Sequence, residues 1–319
     1  MGNNFIISSS PHIRSGNSTE KIMTDVVIAL LPATMAGVYF FGFNAAAVIL
    51  VSLLSCILSE YLSSKILKRG NTLSDFSAVV TGLLLALNMP PSVPLWIVAV
   101  GGFIAIVIVK QIFGGIGQNF MNPAMAARVI LLVSWPAQMT TWVNPRTDVT
   151  SSATPLALIK KGKEAADAAL PSYMDLLWGN VAGCIGETSV IALLIGAAYL
   201  VARRVISLEI PLSLIGTVAL FTWIFGGDTL FSGNALYHVM AGGLILAAFF
   251  MATDYTTSPV TWKGRLIMGI GCGIITSVIR LYTGYAEGVS FGILIMNVAV
   301  PLIDRFSVPK SFGGEKIHA

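Results

Sequence analysis

Val26-Val27-Ile28-Ala29-Leu30-Leu31-Pro32-Ala33-Thr34-Met35-Ala36-Gly37-Val38-Tyr39-Phe40-Phe41 runs almost directly into a second apolar stretch, Ala45-Ala46-Ala47-Val48-Ile49-Leu50-Val51-Ser52-Leu53-Leu54-Ser55-Cys56-Ile57-Leu58. A hydrocarbon core about 30 Å thick takes roughly 20 apolar residues in helical form, and each of these stretches has that length once its flanks are included. The first begins only after about twenty polar residues and is followed at once by the second, so it reads as an anchor and not as a cleaved leader. Working outward from this pair, windows of the same kind recur at 22–42, 44–66, 75–89, 93–112, 122–141, 182–202, 205–226, 235–253, 264–283 and 286–304. The third is short and is closed by Pro90, Pro91 and Pro94.

Composition agrees with this reading. Hydrophobic residues make up 55% of the 319 and charged residues 11%, against roughly 25% charged in a soluble domain. A soluble fold of this length cannot hide so much apolar surface. The expected fold class is therefore an all-α integral membrane protein of about ten transmembrane helices. The long polar connection at 143–181 divides them into a first five-helix half, 22–142, and a second, 182–304, flanked by an N-terminal segment 1–21 and a tail 305–319. Five spans per half would make the halves an inverted repeat. A Gly-Gly pair in each (Gly101-Gly102 and Gly242-Gly243), with an arginine beyond the following turn (Arg128, Arg265), is the faint trace of one.

Orientation follows from lysine and arginine. If the spans alternate, one face receives Arg14, Lys21, Lys65, Lys68, Arg69, Lys110, Arg203, Arg204, Lys263, Arg265, Arg305, Lys310 and Lys316, and the other only Arg146, Lys160, Lys161, Lys163 and Arg280. Arg128 lies inside a span and is not assigned. The bias places both termini in the cytoplasm and the 143–181 loop outside. The net charge of +4 reflects this distribution and does not suggest a nucleic-acid partner.

Two connections read as structured: Gly114-Gly115-Ile116-Gly117-Gln118-Asn119-Phe120-Met121-Asn122-Pro123 and Met251-Ala252-Thr253-Asp254-Tyr255-Thr256-Thr257-Ser258-Pro259. Irregular backbone at membrane depth is tolerated only when buried in protein or lining a cavity, so both are candidate binding walls. Helix capping by the asparagines and hydroxyls is the competing explanation. Cys56, Cys184 and Cys272 lie far apart without ligand spacing; they read as small packing residues, and no metal site is expected. His12 and the acids Asp25, Glu60, Asp75, Glu187, Glu209, Asp254 and Asp304, all at or near span boundaries, receive no assigned ion site.

The outer loop contains Asp148-Val149-Thr150-Ser151-Ser152-Ala153-Thr154-Pro155. Read from residue types alone, it is a Ser/Thr-rich turn with an acid as a helix cap. It also resembles the attachment motif for covalent flavin: an acid (Asp148), then Ser or Thr (Ser151), a small residue (Ser152), Ala153 and the acceptor Thr154. Glycine is commoner at the small position, so Ser152 is a mild departure. Such attachment needs a free hydroxyl on an exposed, extended segment, and a polar outer loop offers one.

The resemblance continues through Ser10-Pro11-His12, through Thr81-Gly82-Leu83-Leu84-Leu85-Ala86-Leu87 before Pro90-Pro91, and through both structured connections. Together these landmarks resemble the RnfD family, the D-type membrane component of the Rnf complex, which is similar to the NqrB component of the sodium-translocating NADH:quinone oxidoreductase. The start of the chain about ten residues before Ser10 favours the Rnf branch.

The resemblance implies a subunit of an oxidoreductase complex in the bacterial or archaeal cytoplasmic membrane that couples electron flow between ferredoxin and NAD to Na⁺ or H⁺ translocation. It implies FMN joined to Thr154 by a phosphoester, installed by an FAD-consuming FMN transferase, and the A, B, C, E and G components of the Rnf complex as partners. It also implies a second flavin, riboflavin, held non-covalently near Thr81, Asn119 and Asn122. A cofactor-free solute channel or secondary transporter is the alternative expectation.

Overall fold

The computed structural model describes residues 18–68, 73–145, 153–160, 170–227 and 229–308. Among them the regular structure is helical throughout, and the integral membrane class stands. The first helix, α1, is Thr19–Ile66, started by Ser18, whose hydroxyl accepts from the Lys21 amide at 3.2 Å. Helical geometry fails inside it only at Gly42, at φ +64°, a conformation that glycine adopts without steric cost. The chain folds back there. Val26 and Lys110 line one cavity, and Lys110 bonds Glu60 at 2.8 Å, whereas a straight helix would hold residues 26 and 60 about 50 Å apart. The windows 22–42 and 44–66 are thus separate helical arms.

The remaining helices are α2 Ser77–Leu87, α3 Leu95–Phe103, α4 Pro123–Ser134, α5 Pro136–Met139, α6 Pro155–Lys160, α7 Tyr173–Trp178, α8 Val190–Ala202, α9 Glu209–Phe225, α10 Ala235–Met240, α11 Leu244–Leu246, α12 Trp262–Tyr282 and α13 Val289–Ser307. Among the described residues only α1, with its two arms, α12 and α13 are long and apolar enough to cross a bilayer. The windows 122–141 and 182–202 are broken: Pro136 interrupts one after Trp135, and the other opens with a turn and the short 3₁₀ helix Ile185–Glu187 before α8. Non-helical backbone is thereby brought to the depth where it can line a cavity.

Helices approach closely through small side chains. Ser52 and Ser55 of α1 donate to the carbonyls of Gly82 (2.8 Å) and Ala99 (2.7 Å), and a Cβ at Gly102 would sit 2.6 Å from the Ser55 hydroxyl. Such packing replaces the hydrophobic drive that a lipid solvent does not supply. The outward faces are apolar instead: Phe43, Ile66, Val133 and Leu302 are all well exposed.

Two segments wind as π-helix, Ile104–Gln111 after α3 and Ala247–Met251 after α11. Each leads directly into one of the structured connections. The wider turn is often found at functional sites, because it redirects side chains without ending the helix.

Candidate functional site: two cavities joined by a polar chain

The first cavity, of about 100 Å³, lies among α1, α2, α4, the two π-helices and both structured connections. Thr81, from α2, and Asn119 and Asn122, from the first connection, all line it, with Lys110, Thr253, Asp254 and Thr256. It adjoins a polar recess of about 330 Å³ that shares Val205, Ile206, Thr253 and Tyr255 and adds Arg204 and Arg265.

The capping explanation accounts for only part of this. Asn122 does cap α4, its Oδ1 accepting from the Met125 amide at 3.2 Å, but its Nδ2 reaches the other connection and donates to the Met251 carbonyl at 3.3 Å. Asn297 of α13 ties the two connections again, its amide oxygen accepting from the Asn122 amide (3.0 Å) and the Thr257 hydroxyl (3.1 Å). Asn119 donates to Met121 O at 3.1 Å, and the Thr81 hydroxyl donates to Ser77 O at 2.9 Å, leaving its oxygen able to accept. Asp254 accepts from the Thr256 hydroxyl at 3.1 Å and the Thr256 amide at 3.3 Å and so holds its own turn together.

One wall of this cavity is charged. The Lys110 ammonium donates to both Glu60 carboxylate oxygens (2.8 and 2.9 Å) and to the Ser77 hydroxyl (2.6 Å), with side chains 4% and 0% exposed for Lys110 and Glu60. Ser77 donates in turn to Asp75.

The second cavity, of about 220 Å³, contains Thr154. Asp148, Ser151 and Ser152 lie outside the described residues. Thr154 is only 8% exposed, against the expected exposed loop position. It sits at the start of α6, its hydroxyl oxygen accepting from the Ala157 amide at 3.3 Å. The burial has a physical cause in the next residues. Pro155 and Leu156 pack inward, and Lys160 at the far end of α6 donates to the carbonyls of Thr283 and Tyr285. These contacts dock the helix over the cavity.

Leu132, Met139, Leu156 and Val181 form its apolar walls, and Trp142 and Tyr285 are its aromatic members. Its polar groups are Asn88, Arg128, Cys184, Glu187 and Glu287. Arg128, from the middle of α4, is 6% exposed; it donates to Asn88 Oδ1 (2.9 Å), Ser290 Oγ (3.0 Å) and Glu187 Oε1 (3.4 Å), with Cys184 Sγ at 3.6 Å. Beside it, Arg280 of α12 pairs with Glu287 at 2.8 Å.

Gly242 and Gly243 lie between the two carboxylates. Gly242 has φ +75°, and a Cβ there would run into Glu287; a Cβ on Gly243 would lie 3.0 Å from Glu187 Oε1. The second Gly-Gly pair therefore makes room for carboxylates, while the first makes room for helix packing. A central arginine costs roughly 2.5–3.5 kcal/mol to insert into a membrane, and this one is compensated by a polar shell drawn from three separate segments.

A hydrogen-bonded chain joins the cavities. From Asn122 it passes to the Met251 carbonyl; the Met251 sulfur accepts from Asn88 Nδ2 at 3.5 Å, and Asn88 Oδ1 meets Arg128. Asn88, Arg128, Glu187, Glu287 and Arg280 were not chosen from the sequence. An ionisable residue within a span was the available signal for Arg128.

Fold and site together define an all-helical membrane protein with two largely apolar cavities, each carrying a few polar groups, linked through its interior. The chain belongs to the NQR2, RnfD, RnfE family, whose model matches residues 6–313. It is 51% identical to the D component of the Na⁺-translocating ferredoxin:NAD⁺ oxidoreductase complex of Acetobacterium woodii, covering 98% of this chain and 97% of that one. It is 46% identical to the D component of the proton-translocating ferredoxin:NAD⁺ oxidoreductase complex of Clostridium ljungdahlii, again over 98% and 97%. A more distant relative, the D component of the ion-translocating oxidoreductase complex of Halorhodospira halophila, is 36% identical over 98% of this chain and 96% of its own length.

Proposed function

We propose that the chain is the flavin-carrying membrane subunit of a complex that couples electron transfer between ferredoxin and NAD⁺ to translocation of Na⁺ or H⁺. It lies in the cytoplasmic membrane with both termini inside, and works with the A, B, C, E and G components of that complex. FMN is joined to Thr154, and riboflavin occupies the Thr81 cavity. The observation that carries this reading is that Thr154 and the trio Thr81, Asn119 and Asn122 each line a cavity, and that a hydrogen-bonded chain connects the two.

The residues present suit a flavin. Aromatic and apolar side chains form walls for a flat ring, while amide, guanidinium and hydroxyl groups supply donors and acceptors for its polar edge. When bound, the flavins supply one- and two-electron chemistry that no side chain here provides. The protein contributes the tether, the dry walls and the placed charges. Thr154 fixes the position of the group, and the Lys160 contacts hold α6 closed over the cavity. Asn122 and Asn297 clip the two connections beneath the Thr81 cavity. Because the Thr154 hydroxyl is buried once α6 has docked, the FMN transferase acts while residues 153–160 are still undocked.

Thr154→Val tests this reading. It removes the hydroxyl and keeps the shape, so the protein should assemble, lose an adduct of FMN mass from the intact chain, and lose all fluorescence in a denaturing gel. Fluorescence that persists in that variant refutes the assignment. A cofactor-free channel predicts no fluorescence in the unaltered protein either.

A further inference from the structure

The Thr154 cavity holds a buried cation that a simple tether does not need. Arg128 is fixed from several sides, yet of its partners Asn88, Ser290, Cys184 and Glu187 only Glu187 is a carboxylate, and that contact is 3.4 Å. The neighbouring Arg280–Glu287 pair closes at 2.8 Å. Glu287 directs Oε1 to Arg280 and to the Gly243 amide (3.1 Å), and its buried Oε2 is without a hydrogen-bond partner. Arg128 is therefore held mainly by neutral acceptors and by one long ion pair. Much of its charge is left to act on the cavity that it lines.

We infer that Arg128 raises the reduction potential of the flavin tethered at Thr154 and that Glu187 is the opposing weight that limits the rise. This rests on the reading of Thr154 as the attachment site. Uptake of two electrons and one proton by the neutral oxidised ring leaves one negative charge, spread over the edge that carries the ring's N1 and C2 carbonyl. A fixed cation in a water-poor cavity stabilises the charged product more than the neutral reactant. A fixed carboxylate does the opposite. Arg128 is thus a positioning and tuning residue, and Asn88 and Ser290 hold its plane where a flexible lysine would not stay.

The test is a spectroelectrochemical titration of the purified complex in detergent, with dithionite as reductant and ferricyanide as oxidant. The Thr154→Val complex supplies the difference spectrum that isolates the tethered flavin. Arg128→Gln should shift its midpoint negative and Glu187→Gln should shift it positive. Each shift should be at least a tenfold change in the oxidised-to-reduced ratio, about 30 mV for a two-electron couple. Arg128→Lys should recover part of the loss, and denaturing-gel fluorescence should equal that of the unaltered protein in all three. Glu187→Gln, close to isosteric, decides the question if the Arg128 variants fail to assemble. Labelled protein with unmoved midpoints, or with both shifts of one sign, overturns this inference alone. An unaltered complex without denaturation-resistant fluorescence overturns the attachment reading and this inference with it.

Discussion

Lys110→Met is the most informative structural perturbation, because it removes one charge of a buried pair and keeps the apolar stem. In the fold the ammonium contacts both Glu60 oxygens at 2.8 and 2.9 Å, and the two side chains are 4% and 0% exposed. No bulk water replaces the lost cation there. Breaking a buried pair by removing one partner costs about 3–5 kcal/mol, because the surviving charge is left uncompensated. At roughly 2 °C per kcal/mol for a chain of this size, the melting temperature should fall by about 6–10 °C. The double variant Glu60→Gln/Lys110→Met removes both charges of the pair and should lie within about 1–3 kcal/mol of the unaltered protein, the cost of a neutral buried polar group that loses its partner. Heating in one detergent followed by size-exclusion chromatography with fluorescence detection measures all three proteins. A single variant no less stable than the double would show that the pair is solvated and that this wall of the Thr81 cavity is wet.

Reporter fusions check orientation: one after Ala319 should be cytoplasmic and one near Lys161 outside, and the reverse would remove the access route for attachment at Thr154. Asp254→Ala should lower electron transfer or coupling while leaving covalent fluorescence intact; normal turnover and coupling would reduce Asp254 to the turn-stabilising role that its Thr256 contacts already give it. At α7 the Ser172 hydroxyl, and after it the Ser172 amide, hold the Asp175 carboxyl below its ordinary range. Its folded value being the lower one, Asp175 stabilises above about pH 4 and loses that contribution as pH falls through the folded value. Asp175→Asn should flatten the acid side of a melting-temperature profile between about pH 5 and 3, and an unchanged slope would refute the capping contribution.

Four of the residues that line the two cavities were named as site residues before any coordinates: Thr81, Asn119, Asn122 and Thr154. Thr81, Asn119 and Asn122 were marked by the resemblance to the RnfD family, the two asparagines also by the glycine-rich connection that holds them, and all three line one cavity. Their local reading as caps was correct for Asn122 Oδ1 and silent about Nδ2, whose partner lies 129 residues away. Cys184 was grouped with the other cysteines as packing, yet it touches Arg128; cysteine spacing carries no information about an arginine on another helix.

Apolar windows of bilayer length are a local property, and the chain alone determined the membrane class from them, whereas Thr154 was marked only by the resemblance of its loop to a flavin-attachment motif. Only the tertiary structure decided that Thr154 is buried beneath a docked α6, that the two Gly-Gly pairs serve different purposes, and that Arg128, Glu187, Arg280 and Glu287 gather around one cavity. The reason is energetic. An ionisable group inside a membrane is tolerable only with compensating partners close by, and any segment that reaches the same depth can supply them. Arg128 therefore takes its partners from residues 40, 56, 59 and 162 positions away, a choice made by packing and left unmarked in the sequence around it.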